Sequence, residues 1–156
     1  STRVRSSAAS DVYKRQGINM PDAISEPMGC YCLDLLWNRG DEVGDATDPR
    51  TGKKIEFKAT SRFDGDLSSF GPKCVFDDLV FLRFKLDENL LYIYDLKIDS
   101  EEFGKYPANK SQTIQDQKNQ GRRPHVSLQT LFVDAQGLEP DIIFDIRRCR
   151  IIKDNR

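Results

Sequence analysis

GDATDPRTGKKIEFKATS, residues 44–61, is the stretch from which the fold can be read. Asp48-Pro49-Arg50-Thr51-Gly52 within it has the composition of a turn. Ile55, Phe57 and Ala59 then alternate with Glu56, Lys58 and Thr60. Side chains on a strand point alternately to opposite faces, so Ile55 and Phe57 enter a core while Glu56 and Lys58 share the other face. Asp45 precedes the turn. If the two arms pair as a hairpin, its carboxylate comes close to that polar face. Two carboxylates and a lysine converging on a rigid strand end are what a magnesium-dependent phosphodiesterase needs.

The segment before this stretch reads as a helix. Ser25 is its expected N-cap, with Pro27 tolerated in the first turn. Met28, Tyr31, Cys32, Leu35 and Leu36 fall on one apolar helical face, and Gly40 is the expected stop. Glu26 stands at the helix start, where the macrodipole favours a carboxylate. Beyond the hairpin, residues 62–73 are rich in Ser, Gly and Asp and read as a loop. DLVFLRFKL (78–86) and LLYIYDL (90–96), separated by Asp87-Glu88-Asn89, predict a second hairpin at the sheet centre. Residues 98–106 suit a short helix. Residues 112–120 are almost wholly polar, which predicts a solvated helix or ordered loop with no core face. Residues 126–133 suit a strand or a short helix, and in 140–152 Ile142, Phe144 and Ile146 alternate as in a strand. The fold class is α/β, a mixed central β-sheet flanked by helices.

Composition narrows the function. The chain has 156 residues, enough for one domain with a real core. It is 38% hydrophobic with nine Phe and five Tyr, as a globular protein is. Its net charge is only −1, so any surface for nucleic acid is a local patch. No apolar run is long enough to span a membrane, and no segment has the pattern of a signal peptide. Cys30, Cys32, Cys74 and Cys149 form no CxxC pair, and His125 is the one histidine, which argues against zinc. They read as reduced, mostly buried thiols of an intracellular protein. Residues 1–16, STRVRSSAASDVYKRQ, have no hydrophobic period and end in a basic cluster; SAASDVYKRQ resembles translated sequencing-adapter read-through. They are expected to be a non-native or disordered segment, so that residues 17–156 form the domain and the native start is missing; a natural flexible arm is the alternative.

The pattern acid-x-Lys occurs three times, at Glu56–Lys58, Asp95–Lys97 and Asp116–Lys118. Only the first combines an upstream Asp at a turn, an alternating strand and a small-residue exit, Ala59-Thr60-Ser61. Asp45 and Glu56 could hold Mg²⁺ with waters left in its octahedral shell. Lys58 could orient or help deprotonate the attacking water and offset charge at the phosphate. Glu26 would extend the acidic cluster if its helix end lies against the site. The plain alternative is a surface hairpin bearing a Glu–Lys ladder.

These residues resemble the PD-(D/E)xK nuclease core, with Asp45, Glu56 and Lys58 on its motif positions. INMPDAISE, LLWNRGDEVGDATDPRTGKKIEFKATS, SSFGPK, FDDLVFLRF and QGRRPH, in this order, are similar to the type II restriction endonucleases that cut at GCNGC. The likeness runs from residue 17 to the end. Gly44-Asp45 departs from the usual Pro-Asp, which leaves Asp48 as a rival first carboxylate. The resemblance implies a restriction-endonuclease-like core and Mg²⁺-dependent hydrolysis of double-stranded DNA to 5′-phosphate ends. It further implies a prokaryotic cytoplasmic homodimer and a companion methyltransferase protecting the host DNA. Arg122, Arg123 and His125, with Ser69 and Lys73, are the expected DNA contacts, since Arg presents a planar donor fork to phosphate or guanine. Two other readings stay open: a repair or junction-resolving nuclease of the same core, and a non-catalytic DNA-binding module.

Overall fold

A computed structural model describes residues 19–156. The expectation for residues 1–16 lies outside the described residues. Seven strands form one mixed sheet: β1 (Leu36–Trp37), β2 (Ala46–Thr47), β3 (Lys54–Thr60), β5 (Asp78–Lys85), β6 (Leu90–Asp95), β8 (Ile142–Asp145) and β9 (Arg150–Asp154). They lie in the order β1-β2-β3-β5-β6-β8-β9. β4 (Ser68–Ser69) and β7 (His125–Val126) pair apart from it as a small antiparallel ribbon. Helices α1 (Asp22–Leu33), α2 (Ser100–Gly104) and α3 (Ile114–Asn119) flank the sheet, giving the α/β restriction-endonuclease-like class expected.

The hairpin that opens the site forms as the alternation requires. β2 pairs antiparallel with β3, Ala46 opposite Ile55 and Thr47 opposite Lys54. β3 then runs parallel to β5, so the chain between them must cross over, and β4 lies in that crossover. β5 and β6 are the predicted central hairpin, closed by a 3-10 turn at Leu86–Glu88 with Asn89 left-handed. Both faces of the sheet are covered. Ile55, Phe57, Val80, Leu82, Phe84 and Ile93 pack with α1 residues Cys30, Cys32 and Leu33 into one core. Leu79, Phe81 and Tyr94 pack with Phe70, Phe76, Phe103 and Phe132 into a second.

Three local expectations are corrected. α1 begins at Asp22 behind Pro21 and ends at Asp34, in a left-handed conformation, not between Ser25 and Gly40. Its buried side is Ser25, Gly29, Cys30, Cys32 and Leu33, whereas Tyr31 is exposed and Leu36 belongs to β1. The physical reason is close packing: a Cβ on Gly29 would sit 2.9 Å from Phe57 Cε1, so the helix seats its smallest residue on the strand. Residues 112–120 do have a core face, because Ile114, Gln117 and Lys118 of α3 are buried at helical spacing. In 126–133 neither single alternative holds: β7 ends at Val126 and a π-helix follows over Gln129–Asp134.

Candidate active site

The backbone builds the site before any side chain does. Asp45 N–H donates to the Ile55 carbonyl at 2.9 Å, and Asn38 N–H donates to the Asp45 carbonyl at 2.9 Å. These bonds fix Asp45 beside the start of β3. Gly44 has φ of 77°, and a Cβ there would lie 3.0 Å from the Ile55 carbonyl oxygen. Glycine therefore satisfies this turn, which accounts for Gly-Asp where the resembled motif has Pro-Asp. At the far end of β3, Ser61 N–H donates to Asn19 Oδ1 and Ser61 Oγ accepts from Met20 N–H. β3 is thus pinned at both ends.

Alternation along β3 then sends Ile55 and Phe57 into the core and Glu56 and Lys58 to a cleft of about 240 Å³. Asp22, Glu26, Asp45, Glu56, Lys58 and Ser69 line that cleft. Lys58 Nζ lies 3.3 Å from Glu56 Oε1. Asp45 Oδ2 accepts the Phe57 N–H at 2.8 Å. Burial, reinforced by the charge of Glu56, pushes the Asp45 carboxyl up to about 7 despite that hydrogen bond. Glu26 accepts from Trp37 Nε1 at 3.2 Å, and burial raises it above the ordinary carboxylate range. Carboxylates whose charges act on one another in this way cost free energy unless a proton or a cation joins them.

Among the described residues no group of three or more His, Cys, Asp or Glu side chains is arranged to hold a metal ion. The donor set nevertheless fits Mg²⁺. Asp45 and Glu56 supply oxygen ligands only, the cleft leaves room for water, and a bound cation would offset the burial and the Glu56 charge that together raise Asp45.

The rival residues have other work. Asp48 pairs with Arg50 at 3.0 Å and accepts from the Arg50 N–H, holding the turn outside the cleft; Arg50 keeps its carboxyl below the usual range. Asp95 lies against Asp78, and Lys97 leaves the strand in a left-handed conformation. Asp116 forms a capping box with Thr113, and Lys118 Nζ donates to the Cys74 carbonyl at 2.8 Å.

Two segments remote in sequence meet beside the cleft. Ser69 pairs with His125 across the β4–β7 ribbon, and Phe70 N–H donates to the Pro124 carbonyl at 3.0 Å. The Arg123 guanidinium lies over Gly71, with Nη1 3.1 Å from where a Cβ would stand. Arg122 Nη1 donates to Gln112 Oε1 at 3.2 Å on the exposed surface. Of the expected DNA contacts, only Ser69 lines the cleft; Lys73, Arg122, Arg123 and His125 do not. The sequence reading missed Asp66, which is 4% exposed and accepts from Ser127 Oγ, Leu128 N–H, Gln129 N–H and Ser68 Oγ. It ties the loop before β4 to the segment after β7. Only its place within a polar loop hinted at this, because three of its four partners lie about sixty residues away in sequence.

A family described as Bsp6I restriction endonuclease matches residues 7–135. The chain is 42% identical over 138 residues to the type II restriction enzyme Bsp6I of Bacillus sp. (strain RFL6), covering 88% of this chain and 79% of that protein. No solved structure matches the chain significantly.

Proposed function

The chain belongs to the Bsp6I restriction endonuclease family of site-specific deoxyribonucleases, and from that premise we propose how it works. It hydrolyses both strands of double-stranded DNA at a short GC-rich site, GCNGC, with Mg²⁺, leaving 5′-phosphates. Residues 17–156 form its nuclease domain, of the PD-(D/E)xK type. The observation that carries this reading is the convergence of Asp45, Glu56 and Lys58 on one cleft wall from a single hairpin.

Asp45 and Glu56 would hold a Mg²⁺, which would supply water activation and offset charge on the phosphate. The Lys58 ammonium stands beside these carboxylates, where it orients the attacking water and stabilises the developing charge on the phosphoryl oxygens. Glu26, fixed by Trp37, extends the acidic cluster that lines the cleft. Ser69, Lys73, Arg122, Arg123 and His125 present the β4–β7 ribbon and its flanks to DNA. A near-palindromic site cut on both strands calls for a two-fold protein, hence a homodimer. A companion methyltransferase protects the host's own sites in the prokaryotic cytoplasm.

Lys58→Ala tests the site. The variant is expected to bind DNA and lose Mg²⁺-dependent cleavage by roughly two orders of magnitude or more. Unchanged cleavage would refute the assignment.

A further inference from the structure

Phe70 is singled out by no catalytic motif, yet its ring lies under the key lysine. Lys58 Nζ stands 4.7 Å from the Phe70 ring centroid. The ring is fully buried and packs against Phe103 at 4.5 Å and Phe76 at 6.4 Å between centroids. The next residue back, Ser69, lines the cleft and pairs with His125; Phe70's own N–H is bonded to Pro124. One residue therefore joins the ribbon, the second core and the lysine.

An ammonium over an aromatic face is held by the ring's quadrupole, and the attraction grows when water is excluded. Lys58 has two partners here, the Glu56 carboxylate and the Phe70 ring. Lysine is a flexible point charge on four rotatable methylenes, so its position must come from what surrounds it. Once Glu56 turns its charge to another cation, the ring is what still holds the ammonium.

Resting on the nuclease reading above, we propose that Phe70 is a positioning residue: its ring face holds the Lys58 ammonium aimed at the cleft and links that aim to the DNA-facing ribbon. The role is electrostatic as well as steric. Swapping the ring for a shape-matched one with a weaker quadrupole must slow cleavage without loosening DNA binding.

Phenylalanine analogues carrying one to five ring fluorines, placed at position 70 of the full chain, make that test with little change of shape. The single-turnover cleavage rate is expected to fall stepwise, about tenfold across the series. Affinity for target DNA in Ca²⁺ and the thermal midpoint should stay level. Independently of activity, the Lys58 ε-methylene protons should show an upfield ring-current shift in the native chain and lose it in Phe70→Leu. A flat rate across the series, or a Lys58 signal insensitive to Phe70→Leu in a folded variant, overturns the proposal. A native chain that cuts no DNA refutes the nuclease reading instead, and the ring-current shift then decides Lys58's placement by itself.

Discussion

Asp45 is the residue where stability and chemistry pull in opposite directions. Its carboxyl is displaced from an ordinary 3.8 to about 7, chiefly by burial and then by Glu56. The folded chain thus holds this proton more tightly than the unfolded chain. Below pH 4 both are protonated and the carboxyl costs nothing. Between pH 4 and 7 the unfolded chain ionises first, so stability falls as pH rises, and above 7 the loss levels off. Asp45→Asn should accordingly raise the melting temperature more at pH 8 than at pH 4, while abolishing cleavage. Mg²⁺ should stabilise the native chain more at pH 8 than at pH 5, and the Asn variant at neither. Thermal unfolding at the two pH values checks both. Asp78, pushed up to about 8 by burial and by Asp95 beside it, retains its own slope in that variant. Alternation made the shared face of Glu56 and Lys58 legible in the sequence, and the upstream Asp45 and the small-residue exit set this pair apart from the other two acid-x-Lys matches. Phe70 and Asp66 were not legible, since their partners are brought to them by tertiary packing.

The β4–β7 ribbon is the element that turns two sequence motifs into one surface. Its integrity depends on Asp66, whose carboxylate accepts four hydrogen bonds in a buried setting. Asp66→Ala should cost about 2–4 kcal/mol in a urea titration, because it orphans several buried donors at once. The ribbon's flanks predict a division of labour. Arg123→Ala should weaken binding to the recognised site by roughly 10- to 100-fold and relax its sequence preference. Lys73→Ala should weaken binding to all sequences alike and lower the salt slope by about one. Binding isotherms at several salt concentrations separate these outcomes. At this scale the sequence misled where close packing overrode periodicity: α1 is seated by Gly29 on Phe57, an interaction no apolar stripe records. α3 likewise buries the ends of Gln117 and Lys118, which composition marks as solvent-facing.

On the scale of the whole molecule, the position of the site constrains how two copies can act on one target. β9 is an edge strand with all five residues exposed, carrying Arg150 and Lys153 that guard it against pairing. Joining two copies through β9 would put nine strand spacings between the two β3 strands, roughly 43 Å. The five base pairs of the proposed site span only about 17 Å. A dimer that cuts one such site must therefore use another face, and reversing charge at Arg150 and Lys153 should leave the sedimentation coefficient unchanged. The α/β class was legible because strand alternation and helix-sized segments recur along the chain. Strand order was not, because the parallel β3–β5 pairing needs a crossover that leaves no local signature.

We propose that Asp45, Glu56 and Lys58 cut DNA at a defined sequence. Digestion of unmethylated and methylated plasmid with Mg²⁺, followed by sequencing of the ends, tests it most directly. Discrete fragments are expected from unmethylated DNA, every end lying within GCNGC and bearing a 5′-phosphate, with methylated DNA left intact. A smear, cleavage that follows DNA structure instead of sequence, or equal cutting of both plasmids would contradict it.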